Sequence, residues 1–137
     1  MKDISNLYSE LYGERYSKEA MDKRFQALLD RHKELFGGSE DETMLFSTAG
    51  RTELAGNHTD HNLGLVIAGT INLDTIAAVS LRDDSTVIVN SEGFPEVVVD
   101  ISNLEVREEE KNTTQSLIRG IAKAFKDRGL KVGGWQA

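Results

Sequence analysis

The chain has 137 residues, of which 39% are apolar, so it is long enough to form one domain, or part of a larger one, with a real core. Its net charge of -7 excludes general binding to nucleic acid phosphates, which needs an excess of lysine and arginine. The absence of cysteine excludes disulfides and thiolate metal sites and fits a reducing compartment such as the cytoplasm. The most apolar stretch, residues 63–73, is far shorter than the roughly 20 residues of a membrane helix, so no membrane association is predicted.

The first part of the chain, over about residues 1–38, is predicted to be helical. A short helix over residues 4–12 precedes a longer one that Ser17 can cap and Gly37 can end. Because His32 lies within the apolar stripe of the longer helix, we interpret it as a core residue rather than a ligand. This stripe comprises Met21, Phe25, Leu28, Leu29, His32, Leu35 and Phe36.

The middle of the chain is predicted to be β structure. A strand is expected from Thr43 to Ala49, running into the segment discussed below. Three further β-like runs over residues 75–101 are separated by turn residues, which favours an antiparallel meander. The charged residues 105–111 are interpreted as a solvated connection.

A second helix is predicted over residues 113–128, where Asn112 and Gln115 resemble a capping box. Residues 131–137 have the pattern of a strand that is just beginning. Helices and strands therefore mix without a regular βαβ alternation, which predicts an α+β fold. The apolar stripe of the second helix comprises Leu117, Ile118, Ile121, Ala122 and Phe125.

The segment that carries chemistry is residues 48–64. Between Arg51 and Asn62 it contains two carboxylates, two imidazoles, a guanidinium and two amides, and small residues surround them. We expect the small residues to let the backbone approach a ligand closely. A metal ion is one candidate ligand, although the spacing is not that of a helical zinc motif. A polyhydroxylated molecule fits the mixture of donors and acceptors better, and a polar surface loop is the alternative without function. The candidate metal ligands are His58, Asp60 and His61.

This segment resembles the N-terminal signature of the galactokinases, a branch of the GHMP kinase family, whose usual form is close to P-G-R-V-N-L-I-G-E-H-T-D-Y-N-x-G. The similarity extends from Tyr8 to the end of the sequence. Asn57 stands where the family has glutamate and His61 where it has tyrosine, so each of these positions remains polar. The shared residues are Gly50, Arg51, Leu54, Gly56, His58, Thr59, Asp60, Asn62 and Gly64.

The resemblance implies the N-terminal half of the GHMP kinase fold (the ribosomal protein S5 domain 2-like type), a mixed sheet with helices packed on one side. It implies a cytoplasmic sugar kinase that phosphorylates galactose to galactose 1-phosphate with ATP and Mg. Arg51 would lie near the transferring phosphoryl group, and His58 and Asp60, with Asn57 beside them, would bind galactose hydroxyls. No metal ligand is assigned among these residues.

The Gly/Ser-rich phosphate loop of the family, P-x-G-x-G-L-S-S-S-A, has no match in the sequence. We therefore expect the chain to be the N-terminal part of a galactokinase, with no kinase activity of its own and a tendency to self-associate through uncovered apolar surface. A non-catalytic galactose sensor of the same family is an alternative. A metal-dependent hydrolase built on His58, Asp60 and His61 is a third.

Overall fold

The computed structural model describes residues 4–56 and 59–137, apart from the side chain of residue 60. Among these residues, five strands form a mixed sheet in the order β1-β2-β5-β3-β4. The α+β fold predicted from the sequence is confirmed. The helices are α1 (Tyr8–Tyr12), α2 (Lys18–Phe36) and α3 (Thr114–Asp127), and the strands are β1 (Met44–Ala55), β2 (Ile67–Leu81), β3 (Thr86–Val89), β4 (Val97–Asp100) and β5 (Trp135–Gln136).

The chain divides into two compact units. The first contains Met1–Arg31 and Leu45–Ala77, and the second contains His32–Met44 and Ala78–Ala137. Both α2 and β2 therefore contribute residues to each unit. Within the described residues, no helix combines the length and apolar character that crossing a membrane requires.

The core of the first unit is aromatic. Tyr8 and Phe25 stack with their ring centroids 5.9 Å apart, and Tyr12 joins them at the end of α1. Gly13, with φ of 72°, ends α1, since this backbone conformation strongly favours glycine. Ser17 accepts a hydrogen bond from the Ala20 amide and caps α2, as predicted.

The core of the second unit is aliphatic. Val87 of β3 and Val99 of β4 are fully or nearly fully buried, and α3 packs Ala122 against this cluster. His32 is also buried, with its Nε2 atom 3.3 Å from the Ser80 hydroxyl, which supports its interpretation as a core residue.

The predicted antiparallel meander is wrong in its central pairing. Only β3 and β4 form the expected antiparallel hairpin, whereas β5 lies between β2 and β3. It runs antiparallel to β2 and parallel to β3, and the amide of Gly134 donates to the Asp84 carbonyl at 2.9 Å. Because β5 lies more than forty residues after β3 in the sequence, the turn residues 83–85 cannot indicate that it separates β2 from β3.

Three smaller predictions also differ from the structure. Thr113, not Asn112, caps α3, because its hydroxyl accepts from the Ser116 amide while Asn112 adopts a positive φ of 61°. The connection 105–111 is not simply solvated, since Glu110 binds the buried Arg119 of α3. The predicted apolar stripe of α3 is only partly buried. Its exposed members are Leu117, Ile121 and Phe125, which are 62%, 52% and 49% exposed.

Candidate functional site

The strand β1 extends six residues further than the sequence predicts and carries the first half of the signature segment. Arg51 is therefore a strand residue, and it is exposed. Gly50 allows β1 to lie close to β2 at this point, because a Cβ on residue 50 would lie 2.9 Å from the Leu73 carbonyl oxygen on β2. The close approach of two backbones at this point requires a residue without Cβ.

The remaining signature residues follow β1. Asp60 and His61 belong to a single 3₁₀ turn, Thr59–Asn62, and the His61 side chain is exposed. Asn57, His58 and the side chain of Asp60 lie outside the described residues. The structure thus places Arg51 in the second half of β1 and Asp60 in the turn that follows this strand in sequence.

The loop between β1 and β2 is closed by its own hydrogen bonds. The Thr59 amide donates to the Gly56 carbonyl at 3.0 Å, and the Gly64 amide donates to the Thr59 carbonyl at 2.8 Å. The Thr59 hydroxyl also donates to the Leu65 carbonyl at 3.4 Å. The threonine of the signature therefore holds the two ends of the loop together.

Contacts within the loop itself require glycine at positions 56 and 64. Gly56 adopts φ of 108°, and a Cβ there would lie 2.6 Å from the Leu65 carbonyl oxygen. A Cβ on Gly64 would lie 2.5 Å from the Thr59 hydroxyl oxygen. The fold of the loop therefore requires both glycines, and the expectation that small residues let a ligand approach closely stays a prediction.

A buried polar cluster, which the sequence analysis missed, lies beside the signature strands in the first unit. Asp74 of β2 has a side chain that is only 5% exposed, and it accepts hydrogen bonds from three different elements. The hydroxyl of Ser47 on β1 donates at 2.6 Å, that of Tyr12 on α1 at 2.7 Å, and Arg24 on α2 at 2.5 Å. Arg24 also donates to the Asp74 carbonyl at 3.0 Å. We call these four residues the Asp74 cluster.

The electrostatics of the Asp74 cluster favour an ionised aspartate. Burial, the largest single influence, raises the pKa of Asp74, but the hydrogen bonds from Ser47, Arg24 and Tyr12 outweigh it and hold the pKa below its ordinary value. Burial and the neighbouring carboxylate raise the pKa of the Tyr12 phenol. At neutral pH the cluster therefore pairs a carboxylate with a guanidinium and two neutral hydroxyl donors.

The alternation of inward and outward side chains along β2 could have shown that Asp74 is buried. Residues 74, 76 and 78 alternate along the strand, and Ile76 and Ala78 both pack into cores. A single carboxylate on the inward face of an apolar strand requires partners, because an unpaired buried charge is very costly.

Metal binding finds no support among the described side chains. No three histidine or carboxylate side chains among them lie close enough together to hold a metal ion. Of the three candidate ligands, His58 and the Asp60 carboxylate are not described. Two clefts of about 410 Å³ each border α3 in the second unit and share Leu104 and Lys123. Neither is lined by signature residues.

Comparison with known proteins supports a galactokinase-like interpretation of the signature segment. A family model for the galactokinase galactose-binding signature matches residues 30–81, which include all four predicted site residues. The chain is similar to the galactokinases. Its resemblance to them, predicted from the signature, is confirmed.

The relatives agree in sequence and in structure. The chain is 31% identical to galactokinase from Lactococcus lactis subsp. lactis over 107 residues, which are 77% of the chain and 27% of that protein. It is 32% identical to galactokinase from Fusobacterium nucleatum, with the same two shares. The crystal structure of L. lactis galactokinase complexed with galactose matches 82% of the chain and 29% of its own length, with a TM-score of 0.69 and 29% identity. The chain thus spans about a quarter of the length of these relatives.

Proposed function

We propose that this chain binds galactose through the segment that runs from Arg51 to Asp60. The observation that supports this most directly is the match of residues 30–81 to a galactose-binding signature. The fold adds support, because it is similar to that of a galactokinase crystallised with galactose. The closed loop and the exposed Arg51 are consistent with a preformed polar surface around the signature.

Within this proposal each signature residue has a role. Asp60 and His58 hydrogen-bond the sugar hydroxyls, with Asn57 beside them. Arg51 places its guanidinium near the hydroxyl that receives the phosphoryl group. A planar, permanently charged donor is suited to the charge that spreads over oxygens during phosphoryl transfer.

We further propose that the complete protein is a cytoplasmic galactokinase that converts ATP and galactose into ADP and galactose 1-phosphate. In this proposal ATP and Mg are bound by the phosphate loop of the family, which has no match in this sequence. When bound, Mg would neutralise charge on the nucleotide phosphates.

The galactose proposal is tested by titration calorimetry with the purified chain. We expect saturable binding of galactose, weaker binding of its epimer glucose, and a sharp loss of galactose affinity in Asp60→Ala. An unpaired group in a site built for hydroxyls costs roughly 1–3 kcal/mol, which corresponds to about 5- to 150-fold in affinity. Asp83→Ala, which removes an exposed aspartate from the turn between β2 and β3, is the matched control and should bind like the wild type. Equal affinity in Asp60→Ala would remove Asp60 from the proposed site.

The kinase proposal is tested in two proteins. The 137-residue chain should form no galactose 1-phosphate from ATP, because the groups that position the phosphates are not among its residues. In the complete protein, Arg51→Lys should lower turnover more than it weakens galactose binding, since lysine keeps the charge but loses the planar fork. A raised KM with unchanged turnover would contradict the role given to Arg51.

The sensor alternative keeps the same sugar site and differs in turnover. A complete protein that binds galactose and ATP but forms no galactose 1-phosphate would favour a regulator over a kinase. Measurement of sugar binding and turnover in one preparation separates the two functions.

We also propose that the chain self-associates when it is isolated. The exposed side chains of Leu117, Ile121 and Phe125 recur every four residues and form a continuous apolar face on α3. Ile121→Glu should shift gel filtration towards the monomer, whereas Thr114→Glu, an exposed change in the first turn of the same helix, should not. A wild-type chain that elutes as a monomer at all concentrations would contradict this proposal.

A further inference from the structure

The Asp74 cluster links the two strands that hold the signature loop, residues 56–66. The loop joins β1 to β2, and the cluster contains one residue from each of these strands, Ser47 and Asp74. Next to this contact, Gly50 packs against the Leu73 carbonyl with no room for a side chain. The two strands are therefore fixed against each other immediately before and after the segment that carries Arg51.

The same carboxylate also holds the helices that cover this part of the sheet. Tyr12 and Arg24 bind Asp74 from α1 and α2, so the four residues join elements separated by up to 62 positions in sequence. Asp74 thus has two separable connections, one across the strands through Ser47 and one to the helices. A group that served only to anchor the helices would not need the bond to β1.

We propose that Asp74 is a positioning residue for galactose binding, acting through Ser47 on the strands that hold the signature loop. This inference rests on the proposed galactose site. Asp74 touches no sugar in this account. It sets the separation and register of β1 and β2, and thereby the distance between Arg51 and the turn Thr59–Asn62.

The test compares two deletions that each remove one hydroxyl from the cluster. Ser47→Ala breaks the connection between the strands, and Tyr12→Phe breaks a connection to α1 while keeping the aromatic ring in its stack. Galactose affinity is measured by calorimetry at a temperature where both variants are folded, and stability by urea unfolding. A purely structural cluster would lower affinity in proportion to the loss of stability in both variants.

We expect Ser47→Ala and Tyr12→Phe to differ in galactose affinity but to have similar free energies of unfolding. Ser47→Ala should weaken galactose binding about fivefold, and Asp74→Asn about tenfold, as is common for residues that support a binding group from behind. Tyr12→Phe should change the affinity by less than about twofold. Ser47→Thr, which keeps the hydroxyl, should restore it. Equal affinities in Ser47→Ala and Tyr12→Phe would overturn the proposal.

A second measurement keeps this test separate from that of the galactose proposal. The amides of Thr59 and Gly64 close the loop by hydrogen bonds, so their hydrogen exchange reports on the loop without any sugar. Exchange at these amides should accelerate in Ser47→Ala and not in Tyr12→Phe. If the wild type fails to bind galactose but the exchange rates still differ between the variants, the sugar proposal fails and only the effect of Ser47 on the loop remains. If the exchange rates are equal in both variants, the positioning proposal fails alone.

Discussion

Each unit contains a polar cluster built on an ion pair between an arginine and a carboxylate, and the two clusters differ in which partner is more buried. In the Asp74 cluster the carboxylate is the buried partner, while the Arg24 side chain is 35% exposed. In the second unit the guanidinium of Arg119 is the buried partner, at 5% exposure, and it donates to both oxygens of Glu110 at 2.7 and 2.8 Å. It also donates to the carbonyls of Asp100 and Asn103 at 2.7 and 2.5 Å.

The difference lies in what each cluster connects. Asp74 gathers donors from residues 27 to 62 positions away, so it joins elements that meet only in the folded unit. Arg119 binds groups 9 to 19 positions away and fastens α3 to the segment that precedes it. The first cluster stabilises a long-range arrangement within the first unit, and the second stabilises a local one within the second unit.

The largest expected effect comes from breaking the local cluster. Arg119→Met removes four hydrogen bonds of a buried guanidinium and leaves the Glu110 carboxylate without its main donor, so we expect a loss of about 3–5 kcal/mol in the free energy of unfolding. Urea denaturation measures it. Arg107→Met, which removes a half-exposed arginine 3.5 Å from Glu110, is the control and should cost far less. Similar losses in both variants would mean that Arg119 contributes little beyond a surface charge.

Breaking the long-range cluster should cost less stability. In Asp74→Asn one acceptor oxygen remains and the hydroxyls of Ser47 and Tyr12 can rotate, while the half-exposed Arg24 regains water. We expect a loss of about 2 kcal/mol, measured by thermal or urea unfolding. A loss larger than that of Arg119→Met would reverse the order of the two clusters.

Between pH 5 and 7, His32 should change the stability of the chain, whereas the two clusters should not. Hydrogen bonds hold the pKa values of Asp74 and Glu110 below their ordinary values of 3.8 and 4.5, so neither cluster loses its charge between pH 5 and 7. Burial, opposed by a hydrogen bond to the Gln136 backbone, lowers the pKa of His32 below 6.5. The unfolded chain therefore binds the proton first as the pH falls.

Stability should consequently be complete above pH 6.5 and decline below it, by at most about 1.4 kcal/mol per pH unit for one histidine. In His32→Gln this decline should disappear, and urea denaturation between pH 5 and 7 measures it. A decline that persists unchanged in the variant would assign it to another group.

The smallest effect is expected for an ion pair of similar length at the surface. Lys123 lies 2.5 Å from Asp127 on α3, but both side chains are more than half exposed. Lys123→Ala should change the free energy of unfolding by less than about 0.5 kcal/mol, because water and salt screen such pairs. Urea denaturation of this variant provides the baseline against which both buried clusters are compared, and a loss near that of Asp74→Asn would show that burial is not what distinguishes them.

The sequence predicted those features that depend on neighbouring residues. The helices α2 and α3 follow from their apolar periodicity, and the start of α2 follows from its cap, Ser17. The similarity to the galactokinases follows from the signature residues. The position of β5 could not be predicted, because two residues pairing between distant strands produce no periodic pattern. The role of Asp74 was missed for the same reason, since its partners come from three other elements. The exposure of Leu117 was missed because periodicity identifies an apolar face without showing what covers it.

The insertion of β5 between β2 and β3 has a consequence for synthesis of the protein. About 46 residues separate the end of β3 from the start of β5, so a ribosome adding 5–20 residues per second needs roughly two to nine seconds to cover the interval. During that time β2 and β3 each present an unpaired edge in the nascent chain. Until Trp135 and Gln136 have been added, these edges can pair with strands of other chains.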